Sequence, residues 1–128
     1  MSKKRIESWV PVARLALRQL EIAKDGCVDR GFSTTISAFG AAVVTGRLRS
    51  AVAFFSQRGN ATVDRRKLIE AIYFCIFGEK VQAENVLKYV CNNETPDLKD
   101  MFVDASIAIK LAMNFFNLVG KEGQNEQS

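Results

Sequence analysis

The sequence predicts an all-α fold, a compact single-domain bundle of five to seven helices. Apolar residues recur at spacings of three and four, and no segment shows the alternation of period two that marks a half-buried strand. The chain has only 2 prolines in 128 residues, which argues against a loop-rich or all-β fold. A chain of this length is expected to form one domain, with helices over residues 1–119 and a polar, disordered tail over residues 120–128.

The first predicted helix covers residues 3–24, where apolar side chains share one face. Pro11 lies inside this segment, so the helix either starts near Ser8, with the proline in its first turn, or kinks at the proline. Leu15 and Ile22 lie seven residues apart and away from the main apolar face. We expect them to be covered either by a neighbouring helix or by another subunit.

Residues 33–59 predict two short helices that meet at Gly46. A hydroxyl group at positions 33–35 can cap the first of them. Small residues around Gly40 allow another helix to approach closely, and this surface serves either core packing or ligand binding. The second helix is expected to end at Gly59, because glycine is the commonest residue just past a helix end.

Three more helices are predicted in the second half of the chain. Their predicted bounds are Thr62 or Asp64 to Gly78, residues 79–90, and residues 95–119. The last of them has the clearest start, because Thr95 supplies a capping hydroxyl and Pro96 occupies the first helical position. Its apolar arc is wide, which is typical of a central helix.

The basic residues are concentrated in one half of the chain. The first 67 residues hold 13 basic and 5 acidic side chains, a net charge of +8, so the remaining residues carry −4 of the overall +4. All arginines lie in this basic half. Because arginine binds phosphate through a bidentate fork, the asymmetry indicates a nucleic acid or an acidic protein as partner. The alternative is a solubilising surface with intramolecular ion pairs.

The residues that usually carry catalysis are scarce. The chain has no histidine, which removes the commonest general base and any Ser–His or Cys–His pair. Cys27, Cys75 and Cys91 are too widely spaced for an ordinary zinc site and fit the reducing cytoplasm as free thiols. Asp100 and Asp104 lie one helical turn apart and form either a magnesium site or a solvated helix face. We expect no enzyme activity, no cofactor and no membrane segment.

The candidate binding residues are arginines next to predicted helix ends. The candidate phosphate-binding residues are Arg47, Arg49, Arg58, Arg65 and Arg66, with Arg14 and Arg18 as a second choice. Their permanent charge suits the phosphate backbone, with an affinity that falls as salt rises. The aromatic residues at positions 9, 54, 55 and 102 lie on or beside apolar stripes. We therefore expect recognition of backbone or shape, not of bases.

Four segments in order carry a family resemblance. At residues 36–56, ISAFGAAVVTGRLRSAVAFFS, the chain resembles the small subunit of the type III-B CRISPR effector, the Cmr complex. The segments RIESWVPVARLAL at 5–17, RRKLIEAIYFCI at 65–76 and DASIAIKLAMNFF at 104–116 resemble the first, middle and last helices of that family. Since no single motif is diagnostic, their order and the chain length together make the resemblance.

The resemblance implies a non-catalytic helical subunit that acts in antiviral defence in the cytoplasm. Its copies would stack along the guide RNA–target RNA duplex, beside the RAMP backbone subunits and in contact with the large subunit that carries polymerase/cyclase-like domains. One alternative is the small subunit of the type III-A complex, which is also helical and basic. Another is a protein–protein spacer without direct RNA contact, and an enzyme would need a partner to supply a base.

Overall fold

The computed structural model describes residues 2–57 and 63–120, and within them the chain forms six α-helices and one small sheet. The predicted all-α bundle is confirmed. The elements are α1 Lys3–Gln19, β1 Ala23–Lys24, β2 Cys27–Asp29, α2 Arg30–Thr45, α3 Leu48–Phe55, α4 Arg65–Phe77, α5 Ala83–Asn93, α6 Pro96–Met113 and β3 Asn117–Val119. The predictions for Arg58, Gly59, Thr62 and residues 121–128 of the tail lie outside the described residues.

Helix α6 is the centre of the bundle, as its wide apolar arc predicts. It packs against α1, α2 and α4. Phe102, Ile109 and Met113 on this helix have no exposed surface. Its start is also as predicted, because the Thr95 hydroxyl accepts a hydrogen bond from the Leu98 N–H and Pro96 opens the helix.

Helix α1 begins at the predicted residue and ends five residues before the predicted residue 24. It begins at Lys3, where the Ser2 hydroxyl accepts from the Arg5 N–H, and it continues through Pro11, so a start near Ser8 is wrong. It ends at Gln19. Ile22 then turns into the core while Leu15 remains exposed, so these two residues do not share a surface.

A three-stranded sheet, which the sequence does not predict, joins the segment between α1 and α2 to the segment that follows α6. Strand β2 pairs antiparallel with β1 and parallel with β3. The Asn117 N–H donates to the Gly26 carbonyl at 2.9 Å, and Arg30 Nη2 donates to the Leu118 carbonyl at 3.1 Å. Because residues 117–119 are recruited into this sheet, the last helix ends at Met113 and not near residue 119.

Helix α2 is capped by Asp29, whose carboxylate accepts from the Gly31 N–H at 2.8 Å, and not by a hydroxyl at 33–35. It ends at Gly46, as predicted. The small-residue surface is used for close packing at Gly40, where an added Cβ would lie 3.1 Å from Ser106 Oγ of α6. The core-packing interpretation therefore holds at this glycine.

Helices α4 and α5 form the side of the bundle next to α3. Asp64 caps α4 and Gly78 ends it in the left-handed conformation, with φ of 76°. Helix α5 begins at Ala83, four residues later than the sequence suggests, because Glu70 of α4 accepts from the Ala83 N–H at 2.9 Å. The predicted end at residue 90 is also wrong, since α5 continues to Asn93.

The three cysteines are free thiols in different surroundings. Cys91 is exposed, Cys27 is half-buried and Cys75 is buried between α4 and α1, near the Trp9 carbonyl. Burial raises the pKa of the Cys75 thiol to about 12. None of the helices in the described ranges has the length and apolar character needed to cross a membrane.

A buried ion pair fixes the first turn of α1 on α6. Asp104 has no exposed surface and lies 2.7 Å from Arg5 Nη2, while the Arg5 side chain remains 34% exposed. Arg5 Nε and the Ser2 N–H also donate to this carboxylate, at 2.9 and 3.2 Å. Asp104 is enclosed by these donors, whereas Asp100 is exposed to solvent. The two aspartates therefore do not form a paired magnesium site.

Replacing Asp104 with asparagine will lower the free energy of unfolding by about 2 kcal/mol, because Arg5 loses its charged partner. The loss stays below the ~3–5 kcal/mol of a fully buried pair, since Arg5 is partly solvated. Urea denaturation followed by circular dichroism measures it. The control is Asp100→Asn, an exposed site one turn earlier, which should change stability by less than ~0.5 kcal/mol. Equal losses in the two variants would contradict the assignment.

Candidate nucleic-acid interface

Helix α3 has one buried face and one open face. Leu48, Ala51, Val52 and Phe55 are buried against the bundle. Ser50 and Phe54 are exposed four residues apart, so they lie one turn apart on the outer side of the helix, and the exposed Arg47 directly precedes its first turn. We call these three residues the α3 strip. It contains a cation, a hydroxyl and an aromatic ring within two helical turns.

Arg65 brings the start of α4 onto the end of the α3 strip. Its guanidinium carbon lies 5.0 Å from the centre of the Phe54 ring and 5.7 Å from that of Phe55. Arg65 Nη2 also donates to the Gln57 carbonyl at 3.4 Å. Arg65 therefore connects the start of α4 to the end of α3.

The other end of the α3 strip carries a cation that the sequence does not predict. Lys99 of α6 donates from Nζ to the Gly46 carbonyl at 3.1 Å, next to Arg47. Lys99 lies 53 residues from Gly46 in the chain. Since only the packing of α6 beside the α2–α3 joint brings it there, no local sequence signal could have found it.

Two of the predicted arginines are engaged with carboxylates. Arg49 lies 3.6 Å from Glu94, which also accepts from the Arg49 N–H. Arg66 lies 3.1 Å from Asp64, and its side-chain hydrogen bond holds the pKa of Asp64 below its usual value. Among residues 2–57 and 63–120, neither Arg47 nor Arg65 forms an ion pair. These two arginines therefore offer the most available charge at the site.

A polar cleft of about 800 Å³ adjoins the start of α4. Its charged lining residues are Arg66, Lys67, Lys80, Asp64, Glu70 and Glu84. Three cations and three carboxylates balance, so this cleft has no net attraction for an anion. The surface with net positive charge near the start of α4 is therefore the α3 strip together with Arg65, and not this cleft.

Arg14 and Arg18, the second choice, form a separate set on α1. Their guanidinium carbons lie 4.3 Å from the Phe115 ring centre and 5.5 Å from that of Phe116. Arg14 Nε is buried and has no hydrogen-bond partner within the described part of the chain. These arginines share no contact residue with Arg65, so the structure divides the predicted arginines into two groups.

Phe54 lies beside the apolar stripe of α3, and its exposure is not foreseen by the sequence pattern. Its side chain is 55% exposed, while its neighbour Phe55 is 7% exposed and occupies the core position. Phe102 is fully buried and Trp9 is half-buried, as expected. The site therefore includes one exposed ring among its cations.

An apolar groove of about 570 Å³ lies on another surface, between α2 and α6. Gly40 and Ser106 lie at the point where the helices approach each other, and Val44 and Leu111 are exposed lining residues. Lys110 hydrogen-bonds to Ser37 across the two helices. The exposed lining of the groove is almost entirely apolar, so few polar groups are available to orient a small molecule. The groove therefore resembles a packing surface more than a ligand site.

No group of three or more metal-ligating side chains occurs in the described ranges. Comparison with known proteins adds no assignment, since no family model, curated protein or solved structure matches this chain.

Replacing Glu94 with glutamine will strengthen binding to single-stranded poly(U) about twofold, because Arg49 loses the carboxylate that competes with phosphate. An exposed ion pair of this kind contributes up to about 1 kcal/mol. Fluorescence anisotropy at low salt measures the change in Kd.

The control for this variant is Glu84→Gln, which removes one negative charge from the first turn of α5, beside the neutral cleft, whereas Glu94 directly follows the end of that helix. If both variants strengthen binding equally, the effect is one of net charge, and Arg49 is not a contact.

Proposed function

We propose that this chain is a non-catalytic, RNA-binding structural subunit of a type III-B CRISPR RNA-guided effector complex. In this proposal its copies stack along the guide RNA–target RNA duplex and stabilise target RNA binding in antiviral defence in the cytoplasm. The observation that carries the RNA-binding part is the pair Arg47 and Arg65, which form no ion pair with any residue in the ranges 2–57 and 63–120 and lie at the two ends of α3. The resemblance of four ordered segments supports the choice of complex.

The chemistry of the site suits a phosphate backbone. A guanidinium keeps its charge at any physiological pH and presents several N–H groups in one plane. Arg47 is exposed and does not cap α3 with its side chain, and Arg65, which lies over the Phe54 ring, donates only to the Gln57 carbonyl within the described residues. Each chain would hold only a few phosphates, so its own affinity for RNA would be low. Several copies side by side would raise the overall affinity, because binding of one copy increases the effective concentration of RNA at the next.

The proposed partners are other copies of the chain, the RAMP backbone subunits and the large subunit with polymerase/cyclase-like domains. The small subunit of a type III-A complex is the alternative assignment, because the arginine arrangement suits either. We assign no reaction to the chain, since its sequence contains no histidine and none of the common nucleotide-binding loops. The gene neighbourhood separates the two complexes, because RAMP backbone genes of one type would lie beside this gene.

Replacing Arg47, Arg49, Arg65 and Arg66 with glutamate will weaken target-RNA capture by the assembled complex at least tenfold. Each lost phosphate contact removes one released counterion, so the slope of log Kd against log salt will also fall. Filter binding over a salt series measures both quantities.

The matched control replaces Lys3, Lys4, Lys24 and Lys88 with glutamate. All four are exposed and lie on other elements, so the change in net charge is the same. Circular dichroism checks that both variants fold. Unchanged capture by the arginine variant, or an equal loss in the lysine variant, would overturn the site assignment.

A second candidate function, a protein–protein spacer, is favoured by the apolar groove between α2 and α6. In this case the occupant is a second copy of the chain. Val44 is 60% exposed in the groove, and an apolar side chain there is better explained by a packing partner than by solvent.

Replacing Val44 with glutamate will reduce self-association of the purified chain if the spacer function is right. A buried unpaired charge at such an interface costs several kcal/mol. Sedimentation velocity over a concentration series measures it, with the exposed Val119→Glu as control. Self-association that stays intact in the Val44 variant excludes the groove as the copy–copy contact.

A further inference from the structure

Phe54 is an exposed ring whose orientation is fixed. Phe55, the next residue, fills the core position and meets the Phe39 ring edge-on at 5.4 Å. Phe54 is not needed for that packing, yet its ring is held edge-on against Phe55, at 5.3 Å and 75°. Arg65 lies over the same ring at 5.0 Å. The ring is therefore positioned by two neighbours while 55% of the side chain remains open to solvent.

The ring continues a line of groups that suit a nucleotide chain. The three residues of the α3 strip are all exposed. Arg47 directly precedes α3, and the helix from Leu48 to Phe54 rises about 9 Å. A cation for a phosphate, a hydroxyl and a stacking surface thus lie in sequence, with the second cation, Arg65, at the ring.

We propose that Phe54 stacks on an unpaired base of RNA, with Arg47 and Arg65 on the flanking phosphates. This inference rests on the proposed RNA binding and deepens it. Bases within a duplex are covered by their own neighbours, so a protein ring can reach only a single-stranded or extruded nucleotide. The α3 strip therefore recognises unpaired RNA, and not the duplex backbone alone.

Other exposed phenylalanines lack this setting. Phe77 is packed against Tyr73 and Tyr89, with ring centres 4.6 and 5.2 Å away. Phe115 is 59% exposed and lies under Arg14, but its neighbour one turn earlier is the groove residue Leu111. Phe115 thus borders an apolar surface, whereas Phe54 borders cations. A protein partner that buries Phe54 as an apolar anchor is the competing explanation, and the experiment separates the two.

The test compares Phe54→Leu with Phe54→Trp in the purified full chain. The probe is a 12-nucleotide RNA with 2-aminopurine at its centre, used as a single strand and as a duplex with its complement. Stacking on an aromatic ring contributes ~1–3 kcal/mol per base, so Phe54→Leu should weaken single-strand binding about tenfold. Phe54→Trp should restore it, and duplex binding should change less than twofold in both.

Two further readouts are specific to stacking. The quenching of 2-aminopurine fluorescence on binding should disappear in Phe54→Leu and return in Phe54→Trp. The salt slope of binding should not change, because no charge is removed. Phe115→Leu, the same change at another ring under an arginine, should alter none of these quantities.

The outcomes distinguish this inference from the proposed function. If the four-arginine variant weakens RNA binding but Phe54→Leu does not, stacking is overturned while RNA binding stands. If neither variant weakens it, both are overturned. If Phe54→Leu leaves RNA binding intact and instead blocks incorporation into the effector complex, Phe54 is a protein anchor and stacking is again overturned.

Discussion

The burial of α6 is the constraint on which the rest of the structure depends. Its apolar side chains are enclosed by α1, α2 and α4, and each fully buried large side chain contributes ~1.5–3 kcal/mol. The same helix carries Asp104, a carboxylate with no exposed surface. An unpaired carboxylate there would cost several kcal/mol, so the fold requires Arg5 and the Ser2 N–H to close over it. This requirement ties the first turn of α1 to the middle of α6.

The position of the candidate interface follows from that arrangement. Because α1, α2 and α4 occupy the surface of α6, helix α3 packs at the side, against α2, α4 and α5. It is only 8 residues long and needs one buried face. Its outer side is left open with Ser50 and Phe54, next to Arg47. Helix α4 begins beside the end of α3 and so brings Arg65 to the ring, whereas Arg14 and Arg18 are directed by α1 to the far end of α6.

Helical periodicity predicts the bundle and most of its core, because burial repeats with each helix turn. The sequence also predicts caps where the capping side chain directly precedes its helix, as at Asp64 and Thr95. It fails where an element is bounded by distant residues. The end of α6 depends on strand pairing with β2, and the start of α5 depends on Glu70. Strands of two or three residues are too short to show a period. In the candidate site, periodicity cannot decide which of the adjacent Phe54 and Phe55 faces inward, and Lys99 is brought in by packing alone.

The arginines of the site differ in how their charge is used. Arg49 and Arg66 form ion pairs with partly exposed partners, and such pairs contribute at most about 1 kcal/mol, so phosphate can compete for them. Arg65 lies over a ring, an interaction of ~0.5–1 kcal/mol that orders the guanidinium without neutralising it. A guanidinium has five N–H donors, and Arg65 uses one of its nitrogens, Nη2, to donate to the Gln57 carbonyl. Arg65 contacts the Phe54 ring and also carries a positive charge. In the proposed interface, the same side of α3 can therefore combine a salt-dependent contact with phosphate and a salt-independent contact with a base.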